Sequence, residues 1–241
     1  MTGRACRMLA VVALLSPAWA QAAVTSYGQG FEALVQSDPN ALANDGWVVY
    51  GNVFSATHDY LYGYGPYPAP NGGAAFSAVE TGQGGTDQGT QQLSVYNDYN
   101  NADHAKGSFV EANVYREMSV AAEDVGKTWS LSFSAKKGNL TGASTAVAFI
   151  KTLDPNNGWQ MTHMLTADMT AIPDTWQSYS VSIPIDAALV GQILQFGFAS
   201  TATNYEGSGI FYDNISFAPE VVVGPTAVQS SSWGWLRAGQ R

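Results

Sequence analysis

The segment "TWSLSFSA" at residues 128–135 alternates Trp129, Leu131 and Phe133 with Ser130, Ser132 and Ser134. Side chains on a strand change face at every residue, so this run offers one face to a core and the other to water. "TWQSYSVSIPI" at 175–185 repeats the pattern less cleanly around Trp176 and Tyr179. Strand-forming runs recur at 30–36, 46–54, 75–80, 90–96, 108–120, 128–135, 145–153, 160–166, 176–183, 192–200 and 210–217, with turn residues between them. No long helical periodicity competes with them. Short strands at this spacing, joined by loops rich in Gly, Asn and Pro, predict an all-β fold, an antiparallel β-sandwich of the jelly-roll kind. "SVAAEDVGKT" and "PIDAALVGQ" can each hold one helical turn closed by Gly126 or Gly191, and are expected to be loops between strands.

Residues 1–20 read as an export signal. Arg4 and Arg7 supply a basic start, the apolar run from Met8 to Leu15 is too short to span a bilayer, and Ala18-Trp19-Ala20 gives a small-x-small cleavage pattern. Cleavage is expected after Ala20, or as late as Ala23, leaving a secreted, periplasmic or cell-surface protein with no transmembrane segment. The single cysteine, Cys6, leaves with that peptide, so the mature domain has no disulfide and depends on its core. One domain is expected over 21–218. Residues 219–241 are expected to be a linker and flexible tail, in which Trp233, Trp235, Leu236 and Arg237 form either a disordered end or a tag for a sorting or envelope partner.

Ten basic residues stand against nineteen acidic ones, and loss of Arg4 and Arg7 leaves a mature net charge of about −11. Nucleic acid is therefore excluded as a partner, since its phosphates would be repelled and the chain has no basic stripe. Charged residues make up only 12% of the chain, about half the usual share, which favours neutral polar ligands over ionic ones.

One carboxylate needs an explanation. If 209–217 is a strand, Phe211, Asp213, Ile215 and Phe217 share an otherwise apolar face, and a charge there costs several kcal/mol, roughly, unless it is compensated. A first strand lying beside the last would bring Glu32 to Asp213, and calcium suits such a pair because it takes six to eight oxygens, carbonyls included, in roughly any irregular arrangement. Asp45, Asn44 or loop carbonyls can complete the set. The alternative is that Asp213 accepts backbone N–H bonds or pairs with Arg116 or Lys151.

Two stretches break the strand rhythm. Residues 58–73 are expected as a long loop carrying Tyr60, Tyr62, Tyr64 and Tyr67, and 96–104 hold Asn97, Asp98, Tyr99, Asn100 and Asn101. Flat rings beside amides and carboxylates suit sugar rings, which show apolar C–H faces ringed by hydroxyls. Trp159, after "DPNNG", is a further platform. These tyrosines can equally pack their own loop over the sheet.

The opening "GFE", Trp47, "TWQSYSVSIPID", "LQFGFAS" and the closing "YDNISF" resemble the carbohydrate-binding modules of families four and nine and their galactose-binding-like relatives, over about residues 28–217. The resemblance implies a jelly roll, a structural calcium near the termini with Glu32 and Asp213 at the metal-bearing places, and an oligo- or polysaccharide bound on a concave sheet face or at loop tips. The tyrosine-rich 58–73 segment departs from that pattern.

Signals for catalysis are weaker. Glu111 and Glu117 point the same way on one strand but lie roughly 20 Å apart along it, and are expected to be exposed. His58, His104 and His163 have no metal-ligand spacing, and no nucleophile elbow or phosphate loop is present. Three function classes stay open: a non-catalytic module for a neutral or weakly polar glycan, an extracellular surface or matrix interaction protein, and a polysaccharide-degrading hydrolase or lyase.

Overall fold

The computed structural model describes residues 22–69, 77–97, 102–203 and 206–221. The export signal, Asp98, Tyr99, Asn100, Asn101 and the tail with Trp233, Trp235, Leu236 and Arg237 lie outside the described residues. The strands are β1 (Tyr27–Gln29), β2 (Val48–Phe54), β3 (Tyr60–Tyr64), β4 (Ser77–Thr81), β5 (Gln91–Val95), β6 (Phe109–Ser119), β7 (Thr128–Lys137), β8 (Thr145–Asp154), β9 (Gln160–Asp168), β10 (Gln177–Pro184), β11 (Ile193–Ala202) and β12 (Ile210–Pro219). One short helix, α1 (Ala41–Asn44), precedes β2.

The strands form two six-stranded sheets. The first runs β10-β7-β12-β5-β4, with β1 added to β12; the second runs β3-β2-β6-β11-β8-β9. All pairings are antiparallel. The all-β antiparallel sandwich expected from the alternation is therefore the fold observed. The two helix-like fragments hold single 3-10 turns, Ala122–Asp124 and Ala187–Leu189, between strands.

Three expectations are corrected. Residues 30–36 are not a strand: the opening strand is β1, three residues earlier, and the chain turns at Phe31 with a φ of 59°. The 58–73 segment is not all loop, because Tyr60–Tyr64 pairs with β2 as an edge strand. The third concerns β12. Its register with β7 shifts between Asp213 and Ser216, where Asn214 adopts a φ of 49°. This β-bulge reverses the alternation, so Asp213 lies on the outer face with Phe211, while Ile215 and Phe217 join Tyr212 in the core.

Aromatic contacts join the sheets. Phe217 of β12 stacks on Phe196 of β11 at 4.0 Å and on Trp129 of β7 at 5.1 Å, and Tyr212 stacks on Phe198 at 3.8 Å. Fully burying one such ring contributes about 2–3 kcal/mol, and a well-oriented pair adds about 1. A buried polar network stands beside them. Asp45 accepts the Tyr27 hydroxyl proton and, at 2.7 Å, the Gln29 amide, while Trp47 Nε1 donates to the Tyr27 oxygen at 2.8 Å. The Arg116 guanidinium covers the Tyr27 ring at 3.8 Å, and it packs where a side chain on Gly46 would have to go, 2.9 Å from the missing Cβ.

Phe217→Ala is expected to lower the unfolding free energy by about 3–5 kcal/mol in a denaturant titration. The Tyr212 hydroxyl is wholly buried and finds no hydrogen-bond partner among the described residues. Tyr212→Phe in the same assay should fall within about 1 kcal/mol of the parent or exceed it, because the substitution strands no polar group.

Candidate functional site

On β6, Val110, Ala112 and Val114 enter the core, and the intervening Glu111, Asn113, Tyr115 and Glu117 face away from the first sheet. Strand register then fixes which side chains accompany them. Tyr115 lies beside Gly197 of β11, and Gly197 beside Phe149 of β8. One row along, Asn113 is flanked by Tyr50 and Ala199; one row further, Glu111 is flanked by Asn52 and Thr201. In the other direction Glu117, Gln195 and Lys151 form a row. In the middle of this face Phe149 is fully buried and Asn113, Ala199 and Gln195 nearly so, although they point away from the core, so neighbouring side chains cover them. Gly197 is required there, since a Cβ would collide with the Val114 carbonyl oxygen and press on Tyr115.

Lys151 lies between two of these rings, its Nζ 5.0 Å from the Phe149 ring centroid and 5.5 Å from that of Tyr115. Burial pushes its pKa down, while the Glu111 and Glu117 charges work in the opposite direction. Among the described residues its ammonium has no hydrogen-bond acceptor and no carboxylate within 4.0 Å. Burial first, then Glu117 and Tyr50, pushes the Tyr115 hydroxyl up to about 12, so it remains a neutral donor. Glu111 is half-buried, and one of its oxygens accepts both Asn52 and Asn113 amides at 2.8 Å. Its expected exposure is thus corrected; Glu117 is exposed and accepts Gln195 at 3.0 Å. At the far end, Phe54, His58, Phe109 and Glu111 line a cavity of about 420 Å³, with the His58 ring stacked on Phe109 at 4.1 Å. The face thus combines ammonium, hydroxyl, amide and carboxylate groups with aromatic walls.

The expected ligand residues scatter around this face. Tyr60 is exposed on edge strand β3, its ring 5.8 Å from Phe54. Tyr62 is exposed and donates its hydroxyl proton to Asp103, and Tyr67 is exposed beside Tyr64. Tyr64 instead packs over Gly51 against the core. Asn97 is fully buried, its N–H donating to Ser208 Oγ at 2.9 Å and its amide to the Ser200 carbonyl at 3.0 Å, so it braces strand ends. Trp159 is exposed at the β8–β9 turn, at the opposite edge of the second sheet from the tyrosines. The sequence analysis missed Tyr50, Asn52, Asn113, Tyr115, Phe149, Lys151 and Gln195. The signal was in "VEANVYRE", where small core residues alternate with Glu, Asn and Tyr.

A second polar centre forms where the termini meet. β1 lies on β12, pairing Tyr27 with Phe217 and Gln29 with Ile215. The turn after β1 carries Glu32 to the 82–90 loop, where one carboxylate oxygen accepts the Thr90 and Gln91 N–H groups, each at 2.7 Å. Asp213 Oδ1 accepts the Asn214 N–H at 2.5 Å, and its buried Oδ2 has no partner among the described residues. A Cβ on Gly30 would sit 3.7 Å from Asp213 Oδ1 and 3.9 Å from Asn214 Oδ1. Burial pushes Asp213 up to about 7 against the opposing Asn214 bond, with the Glu32 charge adding to the rise. Neither Arg116 nor Lys151 serves Asp213: the first lies against Tyr27 and Asp45, and the second belongs to the other sheet. Asp45 is committed to Tyr27 and Gln29, and Asn44 to Asp38. No group of three acidic, histidine or cysteine side chains capable of holding a metal exists among the described residues, so further donors here must be carbonyl or amide oxygens.

No protein-family model matches the chain, and no curated protein matches it in sequence. Solved structures similar to it include the CBM22-1 xylan-binding domain from Paenibacillus barcinonensis Xyn10C, at 10% identity and a TM-score of 0.44, covering 83% of this chain and 96% of that one. A Stig cyclase from Fischerella sp. TAU is 10% identical, with a TM-score of 0.42 and coverage of 80% and 89%. The enzymatically active domain of bacteriophage CBA120 tailspike protein 4 is 12% identical, with a TM-score of 0.42, and the match covers 73% of this chain but only 20% of that one.

Because the folded-state pKa of Asp213 lies above that of the unfolded chain, the folded protein keeps a proton that the unfolded chain has released. In a chelator-containing buffer, stability should fall as pH rises from the ordinary carboxylate range to about 7, and level off above it. Asp213→Asn should flatten that slope, as measured by thermal melts across pH.

Proposed function

We propose that the chain is a secreted, non-catalytic carbohydrate-binding module for a neutral or weakly polar glycan, seated across the outer face of the second sheet. The observation that carries this reading is Lys151: a desolvated ammonium with open donor positions, framed by Tyr115 and Phe149, with Glu111 and Glu117 nearby as acceptors. A sugar hydroxyl can accept from the lysine and donate to a carboxylate at once, while ring C–H groups lie on the aromatic walls. A permanently charged ligand would be opposed by one sign of this mixed set. The backbones of Glu111 and Glu117, six residues apart on one strand, stand roughly 20 Å from each other, which argues against their acting as a glycosidase pair. Tyr60 would extend the surface at the β3 edge.

Calcium fits the centre at the termini. The buried, unpartnered Asp213 Oδ2, the Glu32 carboxylate and nearby amide and carbonyl oxygens form an all-oxygen donor set, the kind a hard cation takes. When bound, the ion would supply the positive charge that keeps Asp213 ionised at neutral pH and would tie the 30–32 turn to β12.

Glycan-array and calorimetric binding should weaken at least about tenfold in Tyr115→Ala and Lys151→Gln. Release of reducing ends from a bound polysaccharide would overturn the non-catalytic reading. EDTA should lower the melting temperature of the parent at pH 7, and should leave Asp213→Asn unchanged; a parent melt indifferent to EDTA would remove the metal.

A further inference from the structure

The outer face of the first sheet plays no part in the glycan site above, yet beside the Asn214 bulge it holds a cavity of about 700 Å³ between the 82–90 loop and the start of β10. Its walls include Lys136, Trp176, Asp87, Asp174, Ser134 and Ser178. An adjoining hollow of about 440 Å³ shares Ser134 and Ser178 and continues to Ser132 and Ser180. Register explains the hydroxyl floor, for Ser134 pairs with Ser178 and Ser132 with Ser180 across β7 and β10.

Trp176 is fixed in place: its indole N–H donates to the Gln83 carbonyl at 3.0 Å, and Gly85 passes so close that a Cβ would lie 2.9 Å from the ring. A platform already held by backbone needs no ordering on binding. The charged groups are arranged unusually. Lys136 Nζ stands 5.5 Å from both the Trp176 and Phe211 ring centroids, and among the described residues it has no carboxylate within 4.0 Å. Asp87 and Asp174 are exposed, and among the described residues neither carboxylate accepts a hydrogen bond or pairs with a cation. One cavity therefore presents a cation and two carboxylates that do not neutralise each other, beside free hydroxyls and an aromatic ring. An anion would meet two carboxylates, and a cation would meet the lysine. A polyol can accept from Lys136 and donate to Asp174 or Asp87, and the volume suits one or two sugar rings.

We propose that this trough is a second saccharide site, independent of the first, for a neutral sugar unit. Its position on the opposite sheet would let one chain bridge two glycan strands, gaining avidity without new contacts. The observations behind it share no residue with the outer face of the second sheet.

The test is a titration of the full ¹⁵N-labelled chain with neutral gluco-, manno-, galacto- and xylo-oligosaccharides, following the Trp176 indole N–H resonance. At least one sugar should move that resonance. The shift should persist in Tyr115→Ala and should need about tenfold more sugar in Asp174→Asn and in Lys136→Gln, two surface replacements that leave the core intact. A resonance that stays still with every sugar would overturn the proposal, and so would one that moves only with uronic-acid or amino-sugar oligomers. Loss of the shift in Tyr115→Ala would also overturn it, by showing one site instead of two. Loss of all other binding in Tyr115→Ala, with the Trp176 shift retained, would support both sites separately.

Discussion

The bulge at Asn214 governs much of what the sandwich can do. β12 is the strand on which β1, β5 and β7 all pair, so any change in its phase is felt across the first sheet. Without the extra residue, Asp213 would point into the core alongside Phe217, at a cost of several kcal/mol, roughly, for an unpaired charge. With it, Tyr212, Ile215 and Phe217 all reach the core, and Asp213 turns to the other side of the sheet near Glu32, still buried and with Oδ2 unpartnered among the described residues. The strained φ of Asn214 is supported by its amide bond to the Asp87 carbonyl at 2.9 Å. One residue thus sets the aromatic stack and the polar centre at the termini together.

In the second sheet, glycine and alternation take that role. The central strand β11 places Gly197 between Tyr115 and Phe149, and the missing side chain lets the Val114 carbonyl and Tyr115 pack directly on β11, with Lys151 5.5 Å from the Tyr115 ring. Desolvating an ammonium is unfavourable, and here Glu111 and Glu117 offset the cost through space without a direct ion pair. Such a lysine keeps its donor positions unspent. Glu111 in turn is kept in place by two amides, so the polar row is rigid before any ligand arrives.

Fold class was legible because alternation is a direct property of strand geometry, and β7 displays it almost without exception. The meeting of the termini followed from the pairing of first and last strands, although the opening strand lies at Tyr27–Gln29 and not at 30–36. What escaped was phase. A bulge leaves little trace in composition, so neither the reversal at Asn214 nor the one in β3 that puts Tyr60 on the opposite side from Tyr62 and Tyr64 could be read. The tyrosines drew attention because they were numerous, while the row Glu111, Asn113, Tyr115 looked like an ordinary wet strand face. Its burial depends on neighbours in other strands, Gly197 and Phe149 among them, and sequence order does not report that neighbourhood.

Residues 22–221 contain no cysteine, and the first described segment is held instead by carboxylates. Asp124 accepts the Val24 N–H at 2.9 Å, Asp45 accepts from Tyr27 and Gln29, and Glu32 accepts from Thr90 and Gln91. The bonds tie the segment around β1 to three different parts of the chain, and those to Asp124 and from Thr90 and Gln91 must offset the entropy of closing long loops. Charge-assisted bonds of this kind are about twice as strong as neutral ones. A short β1 of three residues cannot hold itself on an edge by its ladder alone. The acidic composition, which at first only excluded nucleic acid, is therefore also part of what secures the first strand to the last.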